Sequence, residues 1–258
     1  MLNVPQRVLS DVRDGNTYKV RKLADGNCWM VQNLHLGNGS RTYNLTSADS
    51  DVTAPFTLPI AQTSGTISWG PYHNVTAIET THVFYNSSAS VGNWYNWYTA
   101  TAGTGTYALT GSDAPSSVCP KNWRLPSAFN AKSYDNLLKT VYGIFKNDAL
   151  YDHASIQRLR SDPFLLEETG YYWNLYAAGS TEPTSDNMAS AKAAGEHEGN
   201  FVTSTPGTQS QYYVYFFQIR PNYSYVWDGV EEQRSERAVT AYDGYAKAGG
   251  KTVRCVSR

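Results

Sequence analysis

Residues 211–227, QYYVYFFQIRPNYSYVW, restrict the fold of this chain more than any other stretch. With the period of two that a β-strand imposes, Val214 and Phe216 point to one face, and Tyr213, Tyr215 and Phe217 to the other. Past a Pro-Asn turn, Tyr223, Tyr225 and Trp227 continue the alternation. A half-buried antiparallel strand carries polar residues on its outer face, so a strand that is aromatic on both faces lies beneath another element or against a ligand. Burial on both faces is the simpler account. Residue choice favours a ligand, because Tyr and Trp beside Asn, Ser and Gly combine large rigid area with polar tips.

The rest of the chain reads as strands, a helix, then strands again. Residues 11–36 form two strands around the Asp25-Gly26 turn, with Val12, Tyr18 and Val20 alternating. Residues 37–90, rich in Thr, Ser, Asn, Gly and Pro, read as long irregular loops. Trp94, Tyr95, Trp97 and Tyr98 make a short run that is apolar on two faces, a core strand or a buried turn. Ser133 caps a predicted helix whose Tyr134, Leu137, Leu138, Val141 and Tyr142 form one stripe. A second helical pattern covers residues 153–159 and ends before Asp162-Pro163. Residues 170–178 read as a strand, and residues 200–205 pair with 211–219 across Pro206-Gly207. The polar stretch 231–250 reads as a loop or exposed insertion, and 251–258 as a closing strand. The expectation is a single α+β domain over residues 1–258, with antiparallel sheets, one or two helices, long irregular loops, and insertions at about 37–90 and 231–250.

Composition narrows the partners. The net charge is -1 and no lysine or arginine cluster stands in the sequence, which argues against nucleic acid and against anionic membrane surfaces. No apolar run approaches bilayer-spanning length, so the visible chain is not expected to insert into a membrane. A charged fraction of only 17% suits an extracellular or cell-surface binding protein. The chain begins almost directly on strand-like DVRDGNTYKV without a signal-peptide layout, which implies an export or anchoring segment upstream. Three cysteines, Cys28, Cys119 and Cys255, allow one internal bridge, and spacing leaves all three pairings open.

Catalytic chemistry finds little footing. His35, His73, His82, His153 and His197 are scattered, no GxSxG or HExxH occurs, and no Cys/His set has zinc spacing. The chain therefore reads as a non-enzyme. Glu182-Pro183-Thr184 and Trp227-Asp228-Gly229 fall short of the triplets used by calcium-dependent sugar sites. No cofactor is expected, although a structural calcium held by oxygen ligands stays open because such sites leave weak signatures.

Several motifs occur together in a specific order: RDGNTYKVRKLADGNCWMVQNL, then CPKNWRLP before a helix, then the Tyr-rich strand and a terminal VRCV. In this order, across residues 11–254, the chain resembles the major paralogous domain family first named for Fibrobacter succinogenes, and the resemblance implies a C-type-lectin-like fold. NWYNWYTATAGTG and DAPSSVCP are similar to a version that includes variable proteins of diversity-generating retroelements. There, adenine-directed rewriting varies outward residues while the scaffold persists.

That resemblance implies a ligand-binding face of Asn200, Tyr213, Tyr215, Phe217, Asn222, Tyr223, Ser224, Tyr225 and Trp227, with Val214 and Phe216 as scaffold. It also implies a Cys119–Cys255 bridge with Cys28 left free. The implied partner is an unknown protein or glycan on another cell or virus. An undiversified carbohydrate-binding or adhesion module is the alternative. The polar stretch 231–250 before VRCV departs from the family pattern.

Overall fold

Two copies of Asp-Gly-Asn set the turns of the N-terminal meander. In each, the aspartate accepts from the backbone N–H and the side-chain amide of the asparagine: Asp14 from Asn16 at 3.0 and 2.8 Å, Asp25 from Asn27 at 3.2 and 2.8 Å. The intervening Gly15 and Gly26 take φ of 79° and 81°, the left-handed region that a side chain disfavours. Asn16 and Asn27 also donate to the distant carbonyls of His35 (2.8 Å) and Ala131 (2.9 Å), so each turn ties down a later segment.

A computed structural model describes residues 5–37, 40–61, 83–84, 92–105, 112–142, 149–150, 153–161, 164, 199–208, 213–220, 223–227, 230–234, 237–247 and 250–258. The first strands are β1 (Arg7–Ser10), β2 (Thr17–Lys22), β3 (Cys28–Met30), β4 (Tyr43–Leu45), β5 (Phe56–Leu58), β6 (Val83–Phe84) and β7 (Trp94–Tyr95). Then come α1 (Trp97–Ala100), β8 (Trp123–Arg124), α2 (Tyr134–Tyr142), β9 (Ala149–Leu150) and α3 (His153–Arg160). The last strands are β10 (Gly199–Pro206), β11 (Tyr213–Arg220), β12 (Tyr223–Trp227), β13 (Val230–Arg234), β14 (Arg237–Ala246), β15 (Lys251–Thr252) and β16 (Val256–Ser257).

These elements make a mixed α+β protein. One sheet has the order β1-β2-β3-β16-β8 and the other β6-β7-β15-β10-β11-β14-β9, while β4–β5 and β12–β13 pair separately. Among the described strands every ladder is antiparallel except β10 with β15. The hairpin expected around Asp25-Gly26 is β2–β3, but its first strand begins only at Thr17: residues 12–14 turn after β1, and Val12, expected to alternate with Tyr18 and Val20, is exposed.

Both expected helices form. Ser133 Oγ accepts from the Asn136 backbone N–H at 3.0 Å, and Tyr134, Leu137 and Leu138 turn inward from α2. Ile156 and Leu159 do the same from α3. The aromatic run at 94–98 divides between β7 and α1, with Asn96 capping the short helix through Thr99 N–H at 3.1 Å.

Strands β10 and β11 send alternate residues into two cores. Phe201, Phe217 and Ile219 join Trp29, Tyr134, Leu138, Ile156 and Leu159. Val202 and Val214 join Tyr18, Leu34, Tyr95, Trp97 and Val253 around Cys119 and Cys255. Those two cysteines form the disulfide, and Cys28 on β3 is free and partly exposed.

Two expectations about loops are corrected. Residues 231–250 are not a loop, because β13 and β14 occupy most of them. Arg220 pairs with Arg237 and Tyr223 with Arg234, on either side of residues 221–222 and 235–236, which lie outside the described ones. Trp227 pairs with Val230, which leaves two residues between β12 and β13. Those residues, 228 and 229, lie outside the described ones. Polar composition misleads here because backbone pairing, rather than an apolar face, defines these strands. Within 37–90, β4–β5 and β6 replace part of the expected loop, while residues 62–82 and 85–91 lie outside the described residues. The strand expected at 170–178 also lies outside them.

The disulfide closes a sequence separation of 136 residues. Cys119→Ser is therefore expected to cost about 2–5 kcal/mol in denaturant unfolding under non-reducing conditions. Reduced wild-type protein should approach the variant, and coincidence of the oxidised wild type with the variant would contradict the bridge.

Candidate functional site

The face of β11 that carries Tyr213, Tyr215, Phe217 and Ile219 meets two different surroundings. Tyr134 of α2 stacks on Phe217 with centroids 4.7 Å apart and planes 20° from parallel, and Phe201 stacks on Phe217 from β10 at 5.8 Å. Phe217 is consequently 0% exposed. Tyr213 and Tyr215, towards the strand's start, remain half-exposed. On the opposite face Val214, Phe216 and Gln218 are buried, so the expected scaffold role of Val214 and Phe216 agrees with their positions.

Tyr215 is held from two sides. Its hydroxyl shares a 2.9 Å hydrogen bond with Thr208 Oγ1, and its ring meets Phe129 edge-on at 4.8 Å and 76°. Phe129 is 60% exposed, one of few large apolar side chains left so open among the described residues. Its loop is stitched to the end of β10, with Ser204 N–H donating to Pro126 O (2.8 Å) and Ala128 N–H to Thr205 Oγ1 (2.9 Å), and is braced internally by Phe129 N–H donating to Ser127 Oγ (3.2 Å). Asp113 joins the two parts, accepting from Thr205 Oγ1 and from Asn130 Nδ2, the latter at 3.1 Å. The exposed ring thus stands on a loop tied to the sheet at several points.

The backbone beside Tyr215 is irregular on both sides. The β10–β11 register shifts between Val202 and Pro206, and the β11–β14 register shifts between Val214 and Tyr215 and again between Phe216 and Gln218. Bulges re-aim side chains at sheet rims. Thr203 Oγ1 donates to Tyr215 O at 2.5 Å, satisfying a carbonyl where the ladder is disturbed.

Two residues expected on the binding face are corrected. Phe217 is a core residue, because α2 covers its half of the strand face. Asn200 is 0% exposed: β10 runs between β15 and β11, and Asn200 Oδ1 accepts from Gln218 Nε2 at 3.3 Å while its carbonyl accepts from Thr252 Oγ1 at 2.9 Å. Asn222 lies outside the described residues. For Tyr223, Ser224, Tyr225 and Trp227 the description reaches the backbone, which places Tyr223, Tyr225 and Trp227 at alternate positions of β12 across from Arg234, Glu232 and Val230. Phe129, Thr208 and Asn130 are the contributors that the sequence reading misses. The available signal was an aromatic between Pro126 and the Ser133 cap, in a segment otherwise small and polar.

The described patch of Tyr213, Tyr215, Phe129, Thr208 and Asn130 offers rings, hydroxyls and an amide. These groups suit contact and hydrogen bonding. Among the described residues no group of three or more His, Cys, Asp and Glu could hold a metal ion, and no helix is long and apolar enough to cross a membrane.

The sheet beneath the patch carries buried polar groups. Lys251, on β15, is 2% exposed, with Nζ 5.8 Å from the centroid of Phe216. Burial pushes its amine down to about 7. Lys247 lies against Trp97 at 4.6 Å.

No family model, curated protein or solved structure matches the chain.

Phe217→Ala is expected to cost about 3–5 kcal/mol in denaturant unfolding, and Tyr215→Ala about 1 kcal/mol or less, although the two occupy one strand face. Equal losses would contradict the division of that face. Lys251 supplies a pH signature. Between pH of about 7 and its ordinary value of 10.5, the amine is neutral in the folded protein and protonated in the unfolded chain, so stability rises with pH across that window. Below it both states are protonated and the burial penalty is full. Wild type should therefore gain on Lys251→Met as pH rises, measured as the difference between their unfolding midpoints.

Proposed function

We propose that this protein is a non-enzymatic, receptor-type ligand-binding protein of the cell surface or extracellular space. On this reading its frame is C-type-lectin-like, and it acts as a variable protein of a diversity-generating retroelement. One observation carries the proposal: a strand face that is sealed by α2 at Phe217 opens at Tyr213 and Tyr215, where Phe129 extends it with a rigid exposed ring. Such a surface provides large contact area at low entropic cost, because the rings are already fixed.

The β12–β13 pairing places Tyr223, Tyr225 and Trp227 at alternate positions, so residues there could vary while the backbone pairing persists. The disulfide supports an oxidising compartment outside the cytosol. An open aromatic surface fits a broad macromolecular contact better than a small-molecule cleft, and the partner is accordingly a protein on another cell or a virus. The second reading, a carbohydrate-binding or adhesion module without diversification, draws on Phe129: an exposed ring beside an amide and a hydroxyl also suits a sugar face.

Panning the folded protein against displayed surface proteins, in parallel with a glycan array, separates the two readings. The triple variant Phe129→Ala, Tyr213→Ala, Tyr215→Ala should keep its thermal unfolding transition and lose at least about 10-fold in affinity for whichever partner emerges. Unchanged binding by the triple variant would sink both readings.

A further inference from the structure

A small cavity lies under α2, and its walls include Leu23, Trp29, Met30, Tyr134, Phe164 and Arg254. It has room for about one water molecule. Tyr134 is 2% exposed, and its hydroxyl has no hydrogen-bond partner among the described residues. Native proteins seldom leave a buried O–H unpaired, because its desolvation is then uncompensated. Burial raises the Tyr134 phenol well above the ordinary tyrosine range, so the group stays protonated and is a donor in need of an acceptor.

Arg254 forms the polar part of the wall. Its guanidinium donates through Nε to Asn33 Oδ1 (3.1 Å) and through NH1 to Phe164 O (2.7 Å), and it lies 5.3 Å from the Phe201 ring centroid. Both side chains line the cavity, and the Arg254 charge opposes the effect of burial on the Tyr134 phenol.

We propose that this cavity is the binding site of one ordered water molecule, which accepts the Tyr134 O–H and lies against the Arg254 guanidinium. The water would fix the hydroxyl end of a ring whose faces pack against Trp29 at 5.1 Å, Phe201 at 5.9 Å and Phe217 at 4.7 Å. Tyr134 then becomes a positioning residue: it holds Phe217, and through it the register of β11, without touching any ligand of the exposed patch. The inference stands independently of the binding function proposed above.

A crystal structure of the whole chain that orders solvent should place one oxygen within about 3 Å of Tyr134 Oη. A protein atom in that position, or an empty cavity, overturns the proposal. So does an anomalous peak there from crystals soaked in bromide, which would make the occupant an anion. Tyr134→Phe retains the stacking and tests the energetics. If the hydroxyl is satisfied by water, the variant loses a favourable contact and its unfolding midpoint falls; a midpoint that rises would mean the hydroxyl had been an uncompensated group.

Discussion

Residues 251–257 belong to both large sheets, and this shared segment is the constraint on which the architecture depends. β15 lies between β7 and β10 in the seven-stranded sheet, and three residues later β16 lies between β3 and β8 in the five-stranded one. Val253, Arg254 and Cys255, which make the crossing, are all buried. Their backbone is bonded as they pass: Leu34 N–H donates to Val253 O at 2.7 Å and Met30 N–H to Cys255 O at 2.9 Å. Arg254 reaches Asn33 and Phe164, and Cys255 is covalently joined to Cys119. A segment with so many partners fixes the relative placement of the two sheets.

The exposed patch inherits its rigidity from that crossing. β15 holds β10, β10 holds β11, and the end of β10 is bonded to the loop that carries Phe129. Tyr215 thus lies between two elements whose positions are set by the core rather than by the patch itself. Sites built on paired strands with locked neighbours hold their geometry better than sites on free loops. This arrangement also separates two surroundings within one strand: inward residues and Phe217 are buried, whereas Tyr213 and Tyr215 stay partly exposed.

Local signals were legible in the sequence wherever a short-range interaction decides the structure. The Asp25-Gly26 turn, the Ser133 cap, the stripe of α2 and the alternation of β11 all depend on residues within a few positions of one another. Composition was a poorer guide. The polar stretch 231–250 reads as a loop, yet it pairs with β11 and β12 through backbone groups that composition does not record. Periodicity likewise assigns Phe217 to the face of Tyr215 but contains no information about how far α2 extends over it.

The sequence by itself determined the α+β order, the strand and helix that frame the patch, and the outward tendency of Tyr213 and Tyr215, because propensity, turns and side-chain period are properties of neighbouring residues. Tertiary structure alone decided that Phe217 and Asn200 are core, that Phe129 completes the exposed surface, and that the final residues link both sheets. Those outcomes depend on contacts between segments far apart in the chain: Tyr134 against Phe217, Phe129 against Tyr215, Cys119 bonded to Cys255. What covers a side chain is settled by the packing of distant elements, and no local pattern encodes it.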